Sequence, residues 1–238
     1  MKNIIAILQK EFKSYFNSPI AYIFIITFLL FSNWLFFRTF FLVGQAHLRP
    51  LFGIFPWLFL ILAPSITMRA WAEEKKMGTI EILMTLPLKD YEVVLGKFLA
   101  SFCFMITTVI LTFPLTITVY SLGAPDTGSI MGGYLGASLM GGAYLAIGLF
   151  CSSLTKNQIV AFIISTLSCF ILLIIGEDIV LISAPSIVVP LFTYLGLGAH
   201  FESISRGVID SRDVLYYVSV IGFFLFLNTL AIESRKWK

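Results

Sequence analysis

The sequence is dominated by apolar runs, each close to the length that a helix needs to cross a lipid bilayer, which is about 20 residues. Hydrophobic residues make up 58% of the 238 positions and charged residues 12%, roughly half the charged share of a soluble domain. A soluble core cannot bury that much apolar surface. The sequence therefore predicts an all-α, polytopic membrane protein with one transmembrane domain over residues 1–238. The six predicted spans are residues 20–43, 52–70, 98–122, 130–154, 159–175 and 214–232.

The N-terminal segment, residues 1–17, has the pattern of an amphipathic helix. At 100° per residue, Ile4, Leu8 and Phe12 share one face, while Lys10 and Lys13 lie on the other. An apolar face opposite a basic face is typical of a helix that lies in the membrane interface. The alternative is a helix buried against other parts of the protein.

The distribution of Lys and Arg predicts the orientation. An even number of spans places both termini on one side, and cytoplasmic segments carry the excess of basic residues. With the termini in the cytoplasm, twelve basic residues fall inside and four fall at the outer side. The four outer residues are Arg38, Arg49, Arg206 and Arg212. We therefore expect both termini to be cytoplasmic.

Residues 69–97, here called the charged segment, hold ten of the 29 charged residues of the chain. Charges inside such an apolar chain are expected to lie in water. Within this segment, Ile80, Leu83 and Met84 form an apolar stripe on a short helix between Gly78 and Pro87. We interpret residues 73–90 as a cytoplasmic segment whose helix lies in a groove of a soluble partner. The alternative, a helix on lipid headgroups, is disfavoured by the balanced charge.

The fourth predicted span is rich in glycine, with Gly132 and Gly136 four residues apart. Small residues at this spacing let helix backbones approach closely, either within a subunit or at a dimer interface. Packing within the subunit is the interpretation we favour.

An outer segment, residues 183–212, separates the last two spans. Its apolar part is too short to cross the bilayer, so it predicts a re-entrant helical hairpin, which requires protein to cover its backbone. A short amphipathic helix over residues 199–207 follows and is closed by Gly207.

Arg38, near the outer end of the first span, is a charged residue within the membrane. Its long side chain is expected to extend to the interface.

The sequence lacks the motifs of an enzyme. The string from Gly123 to Ser129 has the glycine spacing of a nucleotide-binding loop but not its lysine. His47 and His200 are not at metal-ligand spacing with each other or with cysteine. We predict no catalytic residue, no metal, no cofactor in this chain and no nucleic-acid partner. A secondary carrier is also disfavoured, because the spans lack a relay of buried acidic residues.

The charged segment contains the string Glu73-Glu74-Lys75-Lys76-Met77-Gly78-Thr79-Ile80-Glu81-Ile82-Leu83-Met84-Thr85-Leu86-Pro87. In this string the chain resembles the permease subunits of type-2 ABC transporters. Their loop between the second and third spans carries an acidic pair, a basic residue and then G-T-x-E-x-L-x-x-x-P. More narrowly, the chain resembles the gliding-motility-associated permeases. The blocks that carry this likeness are Ser18 to Tyr22, Leu48 to Pro50 through Met68 to Arg69, and His200 to Asp213.

This resemblance implies a bacterial inner-membrane permease that works with two copies of a cytoplasmic ABC ATPase, which binds the ATP and Mg. It also implies a second permease copy or paralogue, and it allows an extra membrane subunit with an outer domain. The loop helix would be the coupling helix. The implied ATPase contacts are Glu73, Glu74, Lys75, Lys76, Gly78, Thr79, Glu81, Leu83, Met84, Leu86 and Pro87. The candidate residues of a translocation path or outer gate are Asn33, Arg38, Pro185, Pro190, His200, Phe201 and Arg206.

Two functions are consistent with these features. The first is a permease that couples ATP hydrolysis on the partner to export or to conformational work across the inner membrane. The second is a scaffold or mechanotransmitter that moves no solute and passes the ATPase strokes to a periplasmic partner.

Overall fold

The computed structural model describes residues 2–81, 87–183 and 185–234, and its regular elements in these ranges are α-helices. We number in chain order the helices whose two ends lie within the described residues. They are α1 Lys2–Phe16, α2 Pro19–Val43, α3 Arg49–Met77, α4 Asp90–Ile110, α5 Phe113–Leu122, α6 Thr127–Leu154, α7 Gln158–Ile174, α8 Asp178–Ser183, α9 Val189–Leu195, α10 Leu197–Ser205 and α11 Ser211–Glu233.

Among the described residues, five helical stretches are long and apolar enough to cross a membrane. They are α2, α3, the continuous stretch Asp90–Leu122 formed by α4 and α5, α6, and α11. The prediction of an all-helical, multi-pass membrane protein is therefore confirmed. Helix α7 is apolar but has 17 residues, which rise about 25 Å against a hydrocarbon core of about 30 Å. The sixth span stays a prediction.

Helix α6 is the centre of the helix bundle. Of its apolar stretch, 78% is buried inside the protein, whereas 28% is buried in each of α2 and α11. The glycines of α6 make this possible, because a Cβ atom on Gly132 would overlap the carbonyl oxygen of Ile204, and one on Gly133 would overlap the ring of Phe52. The glycine-rich span thus packs closely against helices of the same chain.

Helix α3 differs from the predicted span over residues 52–70. It begins at Arg49 and continues to Met77, with Pro56 and Pro64 inside it. The same helix therefore runs from the bundle into the charged segment without a break. Gly78, in the left-handed conformation at φ 72°, ends it.

The predicted third span, residues 98–122, is interrupted. Helix α4 ends at Ile110, and α5 begins at Phe113, directly before Pro114. Proline has no backbone N–H to continue the helical hydrogen bonds, which accounts for the break. The hydroxyl of Tyr134 lies 3.2 Å from that of Thr112, at the break.

Candidate functional site: the charged segment and its anchor

The described part of the charged segment is anchored by a cluster of ionic groups around the buried Lys97, in which the acidic partners are partly buried. Only 3% of the Lys97 side chain is exposed, and its ammonium group lies 2.6 Å from Glu74 Oε1 and 3.1 Å from Glu11 Oε1. The same ammonium group lies 5.0 Å from the ring centroid of Trp71, within cation–π range. We call Glu11, Trp71, Glu74 and Lys97 the Lys97 cluster.

The Lys97 cluster joins three helices at one end of the bundle. Glu11 comes from α1, Trp71 and Glu74 come from the end of α3, and Lys97 comes from α4. A buried cation needs compensating partners, and here those partners lie on two other helices, α1 and α3. Their relative positions are therefore coupled, since moving one helix away leaves a buried charge uncompensated.

A second set of polar contacts ties the end of α3 to the end of α6. The Ser152 hydroxyl accepts hydrogen bonds from the backbone N–H groups of Trp71 and Ala72, each at 3.2 Å, and donates to the Met68 carbonyl at 3.0 Å. The ammonium group of Lys75, which is buried, donates to the carbonyl of Ser153. The central helix is thus bonded directly to the part of α3 that enters the charged segment.

A third contact connects the start of α1 with the start of α4. The carboxylate of Glu92 accepts from the side-chain amide of Asn3 at 3.0 Å and from the backbone N–H of Lys89 at 3.2 Å. Helix α1 therefore packs on α4 through polar contacts near its start and again at Glu11. Aromatic packing continues this contact, with the rings of Tyr15 and Phe104 stacked 5.3 Å apart.

The predicted ATPase-contact residues divide into exposed and buried sets. Glu74 and Lys75 point inward to the partners given above. Leu83, Met84 and Leu86 lie outside the described residues, so most of the predicted coupling helix remains untested; residues 79–81 are helical. The exposed or half-exposed members are Glu73, Lys76, Gly78, Thr79, Glu81 and Pro87.

The expectation that the charges of this segment lie in water is wrong for Lys75, Glu92 and Lys97, which are buried. Their partners on other helices are a carbonyl oxygen, a side-chain amide and acidic groups, respectively. Sequence reasoning identified the segment but missed Glu11, Trp71 and Ser152. Glu11 could have been identified from the sequence, because an acidic residue on an otherwise basic helix indicates a basic partner elsewhere in the chain.

The residues predicted for the outer gate fall in two places. His200 and Phe201 lie in α10, where Phe201 is buried and His200 is nearly so. Pro185 and Pro190 are exposed, and Arg206 forms an exposed ion pair with Glu202.

The other two predicted gate residues belong to α2. The Asn33 amide donates to the carbonyl of Leu29 in its own helix at 2.6 Å, and the Arg38 side chain is exposed. Their part in a path stays a prediction, and among the described residues no contact joins them to His200.

The fold and the anchored charged segment define a multi-pass helical membrane protein. Residues 38–205, more than half of the chain, match the model of the ABC-2 family transporter protein. The chain belongs to this family and is a membrane permease component of an ABC transporter, a class that works with an ABC ATPase in a membrane. A comparison with curated proteins returned no match.

Proposed function

We propose that this chain is the permease that couples the ATP cycle of a separate ATPase to export or to conformational work across a bacterial inner membrane. The observation that carries the proposal is the Lys97 cluster. It binds the end of α3 to α1 and α4, while Glu73, Thr79 and Glu81 beside it stay accessible to a soluble partner.

The proposed coupling runs from the ATPase through residues 73–90 into α3. Closure of two ATPase subunits pulls the charged segment, and the rigid connection at Ser152 and Lys97 passes the movement to α6, α1 and α4. Two permease copies, or this chain and a related one, are then shifted between two arrangements that the ATPase biases by its own binding energy.

The proposal includes the finer topology. We propose that α7 is the sixth span, that both termini are cytoplasmic, and that α1 lies in the cytoplasmic interface. Support comes from the excess of basic residues in the segments assigned inside and from the apolar character of α7. The blocks at residues 18–22 and 200–213 favour the gliding-motility-associated branch of the family.

Charge reversal at Glu81 tests the coupling. Because Glu81 is exposed next to Gly78, Glu81→Lys leaves the bundle intact but opposes binding of a complementary partner surface. We expect ATP hydrolysis by the co-purified complex to fall, with unchanged membrane insertion. The matched control is Glu202→Lys, an exposed reversal in α10. Normal ATPase activity and normal assembly in Glu81→Lys would contradict the proposal.

A further inference from the structure

The imidazole of His200 is held between two groups that only accept hydrogen bonds. Its Nδ1 atom lies 2.7 Å from Asp213 Oδ1, and its Nε2 atom lies 3.0 Å from the carbonyl oxygen of Tyr194. A neutral imidazole carries one N–H and one lone pair, so it can donate to only one of these oxygens. In that form, a nitrogen lone pair faces an oxygen lone pair at hydrogen-bond distance.

The arrangement is satisfied when the pair of His200 and Asp213 carries one additional proton. The proton can be placed on the ring, which then donates from both nitrogens. It can also be placed on the carboxyl, which then donates to Nδ1 while Nε2 donates to Tyr194. The two placements contain the same number of protons. The hydrogen-bond geometry therefore favours one additional proton on the pair as a whole.

These groups join α9 to the last long helix. The carbonyl of Tyr194 is near the end of α9, and Asp213 is in the first turn of α11. Two further bonds meet the same junction: the Tyr216 hydroxyl donates to Leu195 O and the Tyr217 hydroxyl to Leu197 O, each at 2.6 Å. The imidazole also stacks on Tyr216, with ring centroids 4.0 Å apart.

Helix α9 depends on this junction because apolar burial contributes little to its position. None of its residues, Val189–Leu195, is buried. Beyond it, Gly176 and Gly196 approach so closely that a Cβ atom on either would overlap the other. This glycine contact does not depend on the protonation of His200 or Asp213.

We propose that His200 and Asp213 form a proton-dependent latch, which fixes α9 against α11 while the pair carries its additional proton and loosens α9, still tethered by the Tyr216 hydroxyl, when that proton is lost. The direction of the pH dependence follows from the two hydrogen-bond acceptors that face the imidazole. The protonated pair satisfies both acceptors, so the latch is closed at low pH and opens when the pair loses its additional proton at higher pH. The latch does not depend on ATPase coupling, so each proposal can fail without the other.

Other titratable groups face this region. Tyr194, Tyr216 and Tyr217 surround the imidazole, and Glu202 lies in the same helix. The carboxylate of Glu177 lies against Gly198 of α10. Partial burial, together with the nearby Glu202 and Asp178, raises the pKa of Glu177 above its ordinary value. A test of the latch must therefore distinguish the effect of protonation at Glu177 from the effect of protonation at His200.

Spin labels on exposed Leu191 of α9 and exposed Phe226 of α11 report the latch. The measurement is the distance distribution between Leu191→Cys and Phe226→Cys, in purified protein without other cysteines, at about pH 5 and about pH 8, which bracket histidine titration. We expect one narrow distribution at the lower pH and loss of that single peak at the higher pH. A single narrow peak at both values would overturn the proposal.

Three variants make the assignment specific. Asp213→Asn should keep the latch closed at both pH values, because its amide donates to Nδ1 while neutral His200 donates from Nε2 to Tyr194. His200→Phe keeps the ring stacking without hydrogen bonds and should be open at both. Glu177→Gln should behave as the parent protein does. Opening of Asp213→Asn at high pH, or a pH response in His200→Phe, would also overturn the proposal.

Discussion

At the scale of single residues, two kinds of residue stabilise the contacts between helices. They are buried charged residues with partners on other helices, and glycines at positions where two helices approach closely. Lys97 is almost fully buried, yet it has two carboxylates and an indole ring around it. Gly132 faces the backbone of α10 so closely that no side chain fits between them. Each feature predicts a different response to a small substitution.

Lys97→Met should strongly destabilise the protein. The change leaves Glu11 and Glu74 together without their cation, and breaking a buried ion pair costs about 3–5 kcal/mol. Thermal unfolding in detergent measures this loss. The matched control is Arg69→Met, which removes a partly exposed pair with Glu73 and should cost at most about 0.5 kcal/mol. Equal, small effects of the two substitutions would refute the structural role of the cluster.

Gly132→Ala should destabilise the contact between α6 and α10. The added methyl group would overlap the carbonyl oxygen of Ile204, and such overpacking costs about 1–3 kcal/mol. Gly222→Ala is the matched control, because nothing lies within 4 Å of its added Cβ and alanine favours a helix by about 1 kcal/mol. The same unfolding assay should therefore shift in opposite directions. A neutral Gly132→Ala would contradict the close contact.

At the scale of helices, the sequence predicted the helical class, the long apolar helices and the closing glycine at Gly207. Length and apolar content are local properties, so they could be read directly. The extension of α3 to Met77 could not be predicted from the sequence. Polar residues that follow an apolar span are typical of a loop, and here they are helical because other helices provide partners for them. The cluster at Lys97 was also hidden, since Glu11 and Lys97 are 86 positions apart.

The topology of α7 is predicted at this scale. If α7 crosses the membrane, the exposed positions Lys156 and Asp178 lie on opposite sides of it. In a variant with the three native cysteines replaced by alanine, Lys156→Cys should react with an impermeant thiol reagent only after the membrane is opened. Asp178→Cys should react in intact cells. Labelling of both from the same side would show that α7 does not cross.

At the scale of the whole molecule, the central helix α6 packs against α3, which enters the charged segment, and against α10, which carries His200. The family match places the chain in an ABC transporter; in the function proposed above, the anchored segment is the part of the bundle that the partner ATPase moves. The outer residues predicted from sequence included His200 but not its partner Asp213, because their pairing depends on how α10 folds against α11.

The most direct test of the central claim is photo-crosslinking in cells from a reactive amino acid at Glu81, with the same group at Val208 as the matched control. Both positions are exposed. The account predicts a crosslinked product from position 81 that contains an ABC ATPase, identified by mass spectrometry through its nucleotide-binding loop, and no such product from position 208. An ATPase captured from position 208, or none captured from position 81 in an assembled complex, would contradict it.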